Sequence, residues 1–145
     1  MAAVPKWYLP VTIVALIWNL LGCAAYLADV TTSPEAVAKM TPVQQQMYAS
    51  RTAWGVGATA TAVWFGAAGC VGLILRKRWA MPLLVISLLG VLVQDFAIFV
   101  ASKVGAQAGA MAFVLQGLVL VVAIRLVLLA RSAAAKGWFG GAAAA

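Results

Sequence analysis

Leu75-Arg76-Lys77-Arg78-Trp79 places three consecutive cations between two apolar stretches, residues 54–75 and 79–101. Each stretch is long enough to cross a bilayer at about 1.5 Å per residue. Lys and Arg beside a membrane span are retained on the cytoplasmic face, so the run reads as the tight cytoplasmic turn of a helical hairpin. Arg76, Lys77 and Arg78 are therefore the topology determinants from which the rest of the chain is placed.

Composition supports that reading. Of 145 residues, 66% are hydrophobic and only 9% charged, far from the soluble average. A fold of this size keeps much of its surface exposed, so lipid must cover the apolar excess. The net charge of +7 is then a matter of orientation and anionic headgroups. Outside the spans no basic segment with interleaved aromatics exists, and nucleic acid is not an expected partner. The chain has no histidine, which removes the usual haem b ligand, the commonest metal ligand and the commonest general base. No metal, no cofactor and no catalytic residue are expected.

Working outward from the hairpin, further apolar runs cover residues 9–28 and 106–130, giving four predicted spans. Pro10 and Pro82 fall in first turns, where a missing N–H costs little. The polar connection at 29–53 carries two helix-start signals. Ser33-Pro34-Glu35 offers an N-cap with proline at N1, and Thr41-Pro42-Val43-Gln44 repeats it with a capping-box Gln. Two short helices are predicted there, with Met40, Val43, Met47 and Tyr48 as an apolar strip that serves as a surface helix or a lid over the bundle. The tail, 132–145, is Ala/Gly-rich with Trp138-Phe139 and is expected to make interfacial contact rather than to fold.

Lys6, Arg76, Lys77, Arg78, Arg125, Arg131 and Lys136 fall on one side, against Lys39, Arg51 and Lys103 on the other. Both termini are therefore expected to be cytoplasmic. The first run has a rival reading as a signal sequence, because Leu20-Leu21-Gly22-Cys23 approaches the bacterial lipoprotein signal that ends in a lipidated Cys. Leu21 stands where a small residue is usual, and a single Lys precedes the run. Cys23 and Cys70 are expected at different depths, too far apart to pair.

Each span carries a stripe of small or polar residues. Thr12, Ala15, Asn19, Gly22 and Tyr26 form the first, and Gly55, Thr59, Ala62, Gly66 and Gly69 the second. Ser87, Val91, Gln94 and Asp95 form the third, and Gly109, Ala112, Gln116 and Ala123 the fourth. Small residues on a shared stripe let helix backbones approach closely in lipid. The fold class is all-α: an integral membrane four-helix bundle with short amphipathic helices in its outer loop. Asn19 and Gln116 fall near mid-membrane and are candidates to bond across it. Asp95, with Gln94 beside it, is the one acid inside a predicted span, where an unpaired charge costs about 2.5–3.5 kcal/mol. It reads either as a proton or cation site, or as a boundary acid meeting water, Arg51, Lys103 or a backbone N–H.

Pro34-Glu35, Gln44-Gln45, Tyr48, Ala53-Trp54, Val63-Trp64, Gly66, Gly69, Arg76-Lys77-Arg78-Trp79-Ala80 and Ser87-Leu88-Leu89-Gly90 together resemble a group of small bacterial four-span proteins, often labelled sugar transporters. The resemblance covers Leu9 to about Val100 and implies a bacterial inner-membrane location. It carries over no functional residue, and no cluster of acids, amides and stacking aromatics for a sugar is evident. Three functions follow as expectations. The first is a non-enzymatic accessory or structural subunit of a larger membrane complex. The second is a small homo-oligomeric transporter, proton-coupled through Asp95. A four-span enzyme ranks last, because the Arg/Asn/Glu cluster such sites use is missing.

Overall fold

Among the described residues six α-helices follow one another: α1 (Tyr8–Val30), α2 (Pro34–Ala38), α3 (Pro42–Ala49), α4 (Ala53–Ile74), α5 (Ala80–Phe96) and α6 (Ala110–Ala135). A π-helical turn, Ala97–Ala101, extends α5. The computed structural model describes residues 4–101 and 110–139, with side chains at all of these except 47, 98, 101 and 110–112. Ser102, Lys103, Gly109, the start of the fourth predicted span, the end of the tail, and the side chains of Met47 and Ala112 lie outside the described residues. Among the described residues there is no strand.

Among the described residues, three helical segments are long and apolar enough to cross a membrane: Tyr8–Val30, Ala53–Ile74 and Phe113–Ala135. The α-helical part of the third predicted span is shorter, 17 residues of apolar helix. The chain is thus a helical membrane protein by element length and composition.

The caps form as their residue types dictate. Ser33 accepts from the Ala36 N–H at 3.2 Å. Thr41 and Gln44 exchange the reciprocal bonds of a capping box at 3.2 and 3.0 Å. Thr52, whose role the sequence did not announce, caps α4 by accepting from the Gly55 N–H at 3.0 Å. The three-cation hairpin closes α4 with a Schellman motif: the Lys77 N–H reaches the Gly72 carbonyl at 2.8 Å, and the Arg76 N–H that of Leu73 at 3.1 Å. Arg76 sits at φ 55°, where glycine is usual.

The long helices pack in the order α1–α4–α5–α6, with α4 and α5 central. Small residues make this possible. A Cβ on Gly90 would meet the Ala58 carbonyl and the Ala62 nitrogen at 2.9 Å, so here α5 lies directly on the α4 backbone. The Ser87 hydroxyl also donates to the Ala62 carbonyl at 2.6 Å. Large aliphatics point the other way: Val14, Leu21 and Val114 are 63–66% exposed, while Ala58, Ala62, Ala67 and Ala80 are buried. Lipid rather than protein provides the apolar surroundings for the large side chains.

One expectation changes. The tail folds in part: α6 continues to Ala135, and a second Schellman turn at Gly137 (φ 71°) returns the chain to the bundle. Trp138 and Phe139 are buried in one cluster with Tyr8, Leu73 and Ala80. Trp138 meets Trp7 and Tyr8 edge-on, with centroids 5.8 and 5.7 Å apart. Two buried aromatic rings outweigh the low order expected of an Ala/Gly-rich segment.

Candidate functional site

Because α6 packs along α5 and makes no comparable seam with α1, the four long helices line a half-open cavity of about 760 Å³. Its wall combines Trp18, Asn19, Gly22 and Tyr26 of α1 with Gly55, Thr59, Ala62 and Val63 of α4. Leu84, Ser87, Val91, Gln94 and Ala97 come from α5 and its π turn, and Gln116, Val119, Val122 and Ala123 from α6. Of the predicted inward stripes, Asn19, Gly22 and Tyr26, Gly55, Thr59 and Ala62, Ser87, Val91 and Gln94, and Gln116 and Ala123 line this cavity, whereas Thr12, Ala15, Gly66, Gly69 and Asp95 do not.

The polar groups of this wall are unevenly used. Thr59 donates to the Gly55 carbonyl of its own helix at 3.2 Å, and Ser87 is spent on Ala62. Asn19 donates to the Ala15 carbonyl at 2.9 Å and to the Cys70 sulfur at 3.4 Å. The bond expected across the membrane from Asn19 to Gln116 does not form, because α1 and α6 stand on opposite sides of the cavity. Instead Gln116 Oε1 is buried without a partner, and Gln94 makes no hydrogen bond among the described residues. Two amides of the wall, Gln94 on α5 and Gln116 on α6, thus keep hydrogen-bonding capacity for a ligand.

Asp95 is not among the residues that line the cavity. Phe99 stacks on Phe113 with centroids 4.5 Å apart. One turn inward from that stack, on the antiparallel pair of helices, come Asp95 and Gln116. Asp95 Oδ1 is buried and unpartnered. Arg51, one of the partners considered for it, pairs with Asp29 instead. The adjoining π-helical turn is the type of irregularity that often accompanies functional sites.

At the loop end the cavity is covered by α3 and the segment that follows it. Arg51 pairs with Asp29 at the end of α1, and its guanidinium lies 4.0 Å from the centroid of the Tyr48 ring. Gln45 ties α3 to the end of α2 through the carbonyls of Ala38 and Met40, at 3.3 and 3.1 Å. Of the predicted apolar strip, Met40 and Tyr48 line the cavity, with Gln44 beside them, while Val43 is exposed.

The predicted packing stripe is also accounted for. Gly66 faces Asn19 and Ser87, Gly69 faces Leu84, and Gly55 faces Thr52 and Ala97. Its neighbours are α1, α5 and the start of α4 itself. Sequence reasoning missed Gly90, where a Cβ would meet the backbone of α4. The signal was present, since Gly90 follows Ser87 by three residues on the same face. Cys23 donates to the Val63 carbonyl at 3.4 Å, while Cys70 receives Asn19 one heptad further along α4. Both cysteines are buried and free.

No protein-family model matches the chain, and searches of curated proteins and of solved structures return no significant match. Functional inference therefore rests on the residues and their geometry.

Proposed function

We propose that the protein is a non-enzymatic, multi-pass membrane protein that receives a small, mostly apolar molecule between its four long helices. The observation that carries this is the cavity of about 760 Å³, within the size range of small-molecule sites. Its lining is largely apolar, with two unspent amides to orient a ligand, and its charged members, Asp29 and Arg51, neutralise each other at the mouth.

In this reading the chain crosses the membrane four times. Support comes from length, since α5 and its π turn together cover Ala80–Ala101, about 30 Å of helix. Both termini are cytoplasmic, on the side of Lys6, Arg76, Lys77, Arg78, Arg125, Arg131 and Lys136. The membrane is the bacterial inner membrane, as the resemblance implies. The small-residue stripe of α4, the motive for an accessory-subunit role, packs within the chain. A larger partner complex would have to use the exposed faces of α1 and α6 instead.

Asp95 favours a second reading in which the ligand is transported. Its unpartnered oxygen one turn from the Phe99–Phe113 stack is an acceptor that a proton would satisfy, coupling passage to a proton gradient. Asp95→Asn should then abolish proton-driven flux in vesicles while leaving ligand binding intact.

The test of the main reading is mass spectrometry of particles released from native membranes in mild detergent. Wild type is expected to carry a stoichiometric small molecule, and Val119→Trp, which fills the cavity from α6, to lose it. A stoichiometric larger protein with no small molecule would overturn this reading in favour of an accessory subunit.

A further inference from the structure

A second cavity, of about 780 Å³, separates α1 from α6 at the hairpin end. Val11 and Val14 of α1 face Val121 and Leu128 of α6 across it, with Trp7 at one end and Trp18 at the other. These bulky residues leave no small stripe by which α1 and α6 could pack, and the two helices share no packed seam. The gap must be filled by something apolar. Arg125 is the one charged residue in its lining. It is exposed and has no acidic partner among the described residues. The acids of the chain are Asp29, Glu35 and Asp95, and none lies at this end.

Depth identifies the occupant. From Trp7 to Trp18 is about 16 Å of helix at 1.5 Å per residue, close to half of a hydrocarbon core about 30 Å thick. The cleft is about one leaflet deep and apolar along its length, with Arg125 between Val121 and Leu128 on α6, from where its side chain can snorkel to the headgroups. Basic pockets between membrane helices on the cytoplasmic side recognise anionic headgroups. The geometry points to an anionic phospholipid of the cytoplasmic leaflet seated between α1 and α6, its phosphate against Arg125 and an acyl chain along the valines. The cleft and the central cavity share Trp18, Val122 and Leu126, so this lipid closes the lateral approach to the central site. The inference rests on the membrane orientation proposed above and is independent of what the central cavity holds.

Native mass spectrometry tests it, using purified protein exchanged into an equimolar mixture of phosphatidylglycerol and phosphatidylcholine with matched acyl chains. One phosphatidylglycerol is expected to bind about fivefold better than phosphatidylcholine, the worth of one Arg near an anionic surface. Arg125→Gln should erase that preference and Arg125→Lys should keep it. Arg131→Gln removes the same charge at the same end but outside the cleft, and should change the preference less than about twofold. Val14→Trp, which fills the cleft without touching a charge, should lose both lipids. Val119→Trp, which fills only the central cavity, should retain them. Equal losses for Arg125→Gln and Arg131→Gln would reduce the effect to diffuse charge and overturn the inference. A lipid-free dimer broken by Val14→Trp would overturn it too, by assigning the cleft to a second copy. Failure of the membrane orientation itself shows separately, as labelling of the tail from the outer face.

Discussion

The hydroxyl of Tyr8 donates a 2.6 Å hydrogen bond to the carbonyl of Leu73, 65 positions away and fully buried. The acceptor belongs to the last turn of α4, where carbonyls lack intrahelical partners. That carbonyl also accepts the Arg76 N–H of the hairpin turn at 3.1 Å, so the tyrosine supplies a second bond that fixes the first turn of α1 against the end of α4. Trp138 leans edge-on against the same ring, so the ends of three helices meet on Tyr8.

Tyr8→Phe retains the ring contacts and removes the bond, and is expected to cost about 1 kcal/mol. Tyr8→Ala also empties a ring-sized volume and should cost about 3–5 kcal/mol. Thermal unfolding in a fixed detergent measures both. Equal losses for the two variants would mean that the ring contributes nothing beyond the hydroxyl.

Gly90 and Gly57 form a matched pair. A Cβ on Gly90 meets backbone atoms of Ala58 and Ala62, which cannot rotate away, whereas one on Gly57 meets nothing within 4 Å. Gly90→Ala should therefore force α5 off α4 at a cost of about 1–3 kcal/mol. Gly57→Ala should stabilise by about 0.5–1 kcal/mol through helix propensity. Unfolding in a denaturing detergent series reads the sign of each.

Arg76 occupies the left-handed region at φ 55° to close α4, a conformation that costs a side-chain-bearing residue about 1–2 kcal/mol. Arg76→Gly is expected to raise stability by up to that amount. Lys77 and Arg78 should still hold the hairpin in the cytoplasm, as fusions placed in this turn would report. A loss of stability would show that the guanidinium makes contacts outweighing the backbone cost.

The clasp at the cavity mouth is an exposed ion pair reinforced by a ring, and exposed pairs contribute about 0–1 kcal/mol. Arg51→Gln should leave global stability nearly unchanged while speeding hydrogen exchange across Pro42–Ala49 severalfold. Raised salt should mimic this in wild type, and the charge-swapped pair Asp29→Arg with Arg51→Asp should restore part of the protection. Unchanged exchange in Arg51→Gln would assign the lid to the hydrogen bonds of Gln45 instead.

The sequence by itself determined whatever depends on local chemistry and on solvent. Apolar run length, a cationic turn, Ser33 and Thr41 before prolines, and small residues at helical spacing each act through one helix and its surroundings. Their consequences were therefore legible: an all-helical chain with segments of membrane-crossing length, two capped helices in the loop, and inward stripes that include Asn19, Ser87 and Gln94. The tertiary structure decided what depends on the relative placement of helices. Asn19 and Gln116 share a depth but stand across a cavity, so the first turns to Cys70 and the second stays unpaired. Gln94 and Asp95 are adjacent in sequence but separated by about 100° around α5, so the first lines the cavity and the second does not. Trp138 and Phe139 read as interfacial until Gly137 turns them onto Tyr8. Periodicity tells which residues of a helix share a face, but which other helix meets that face depends on interhelical packing, settled here by close backbone approach at Gly90 and bulky valines between α1 and α6.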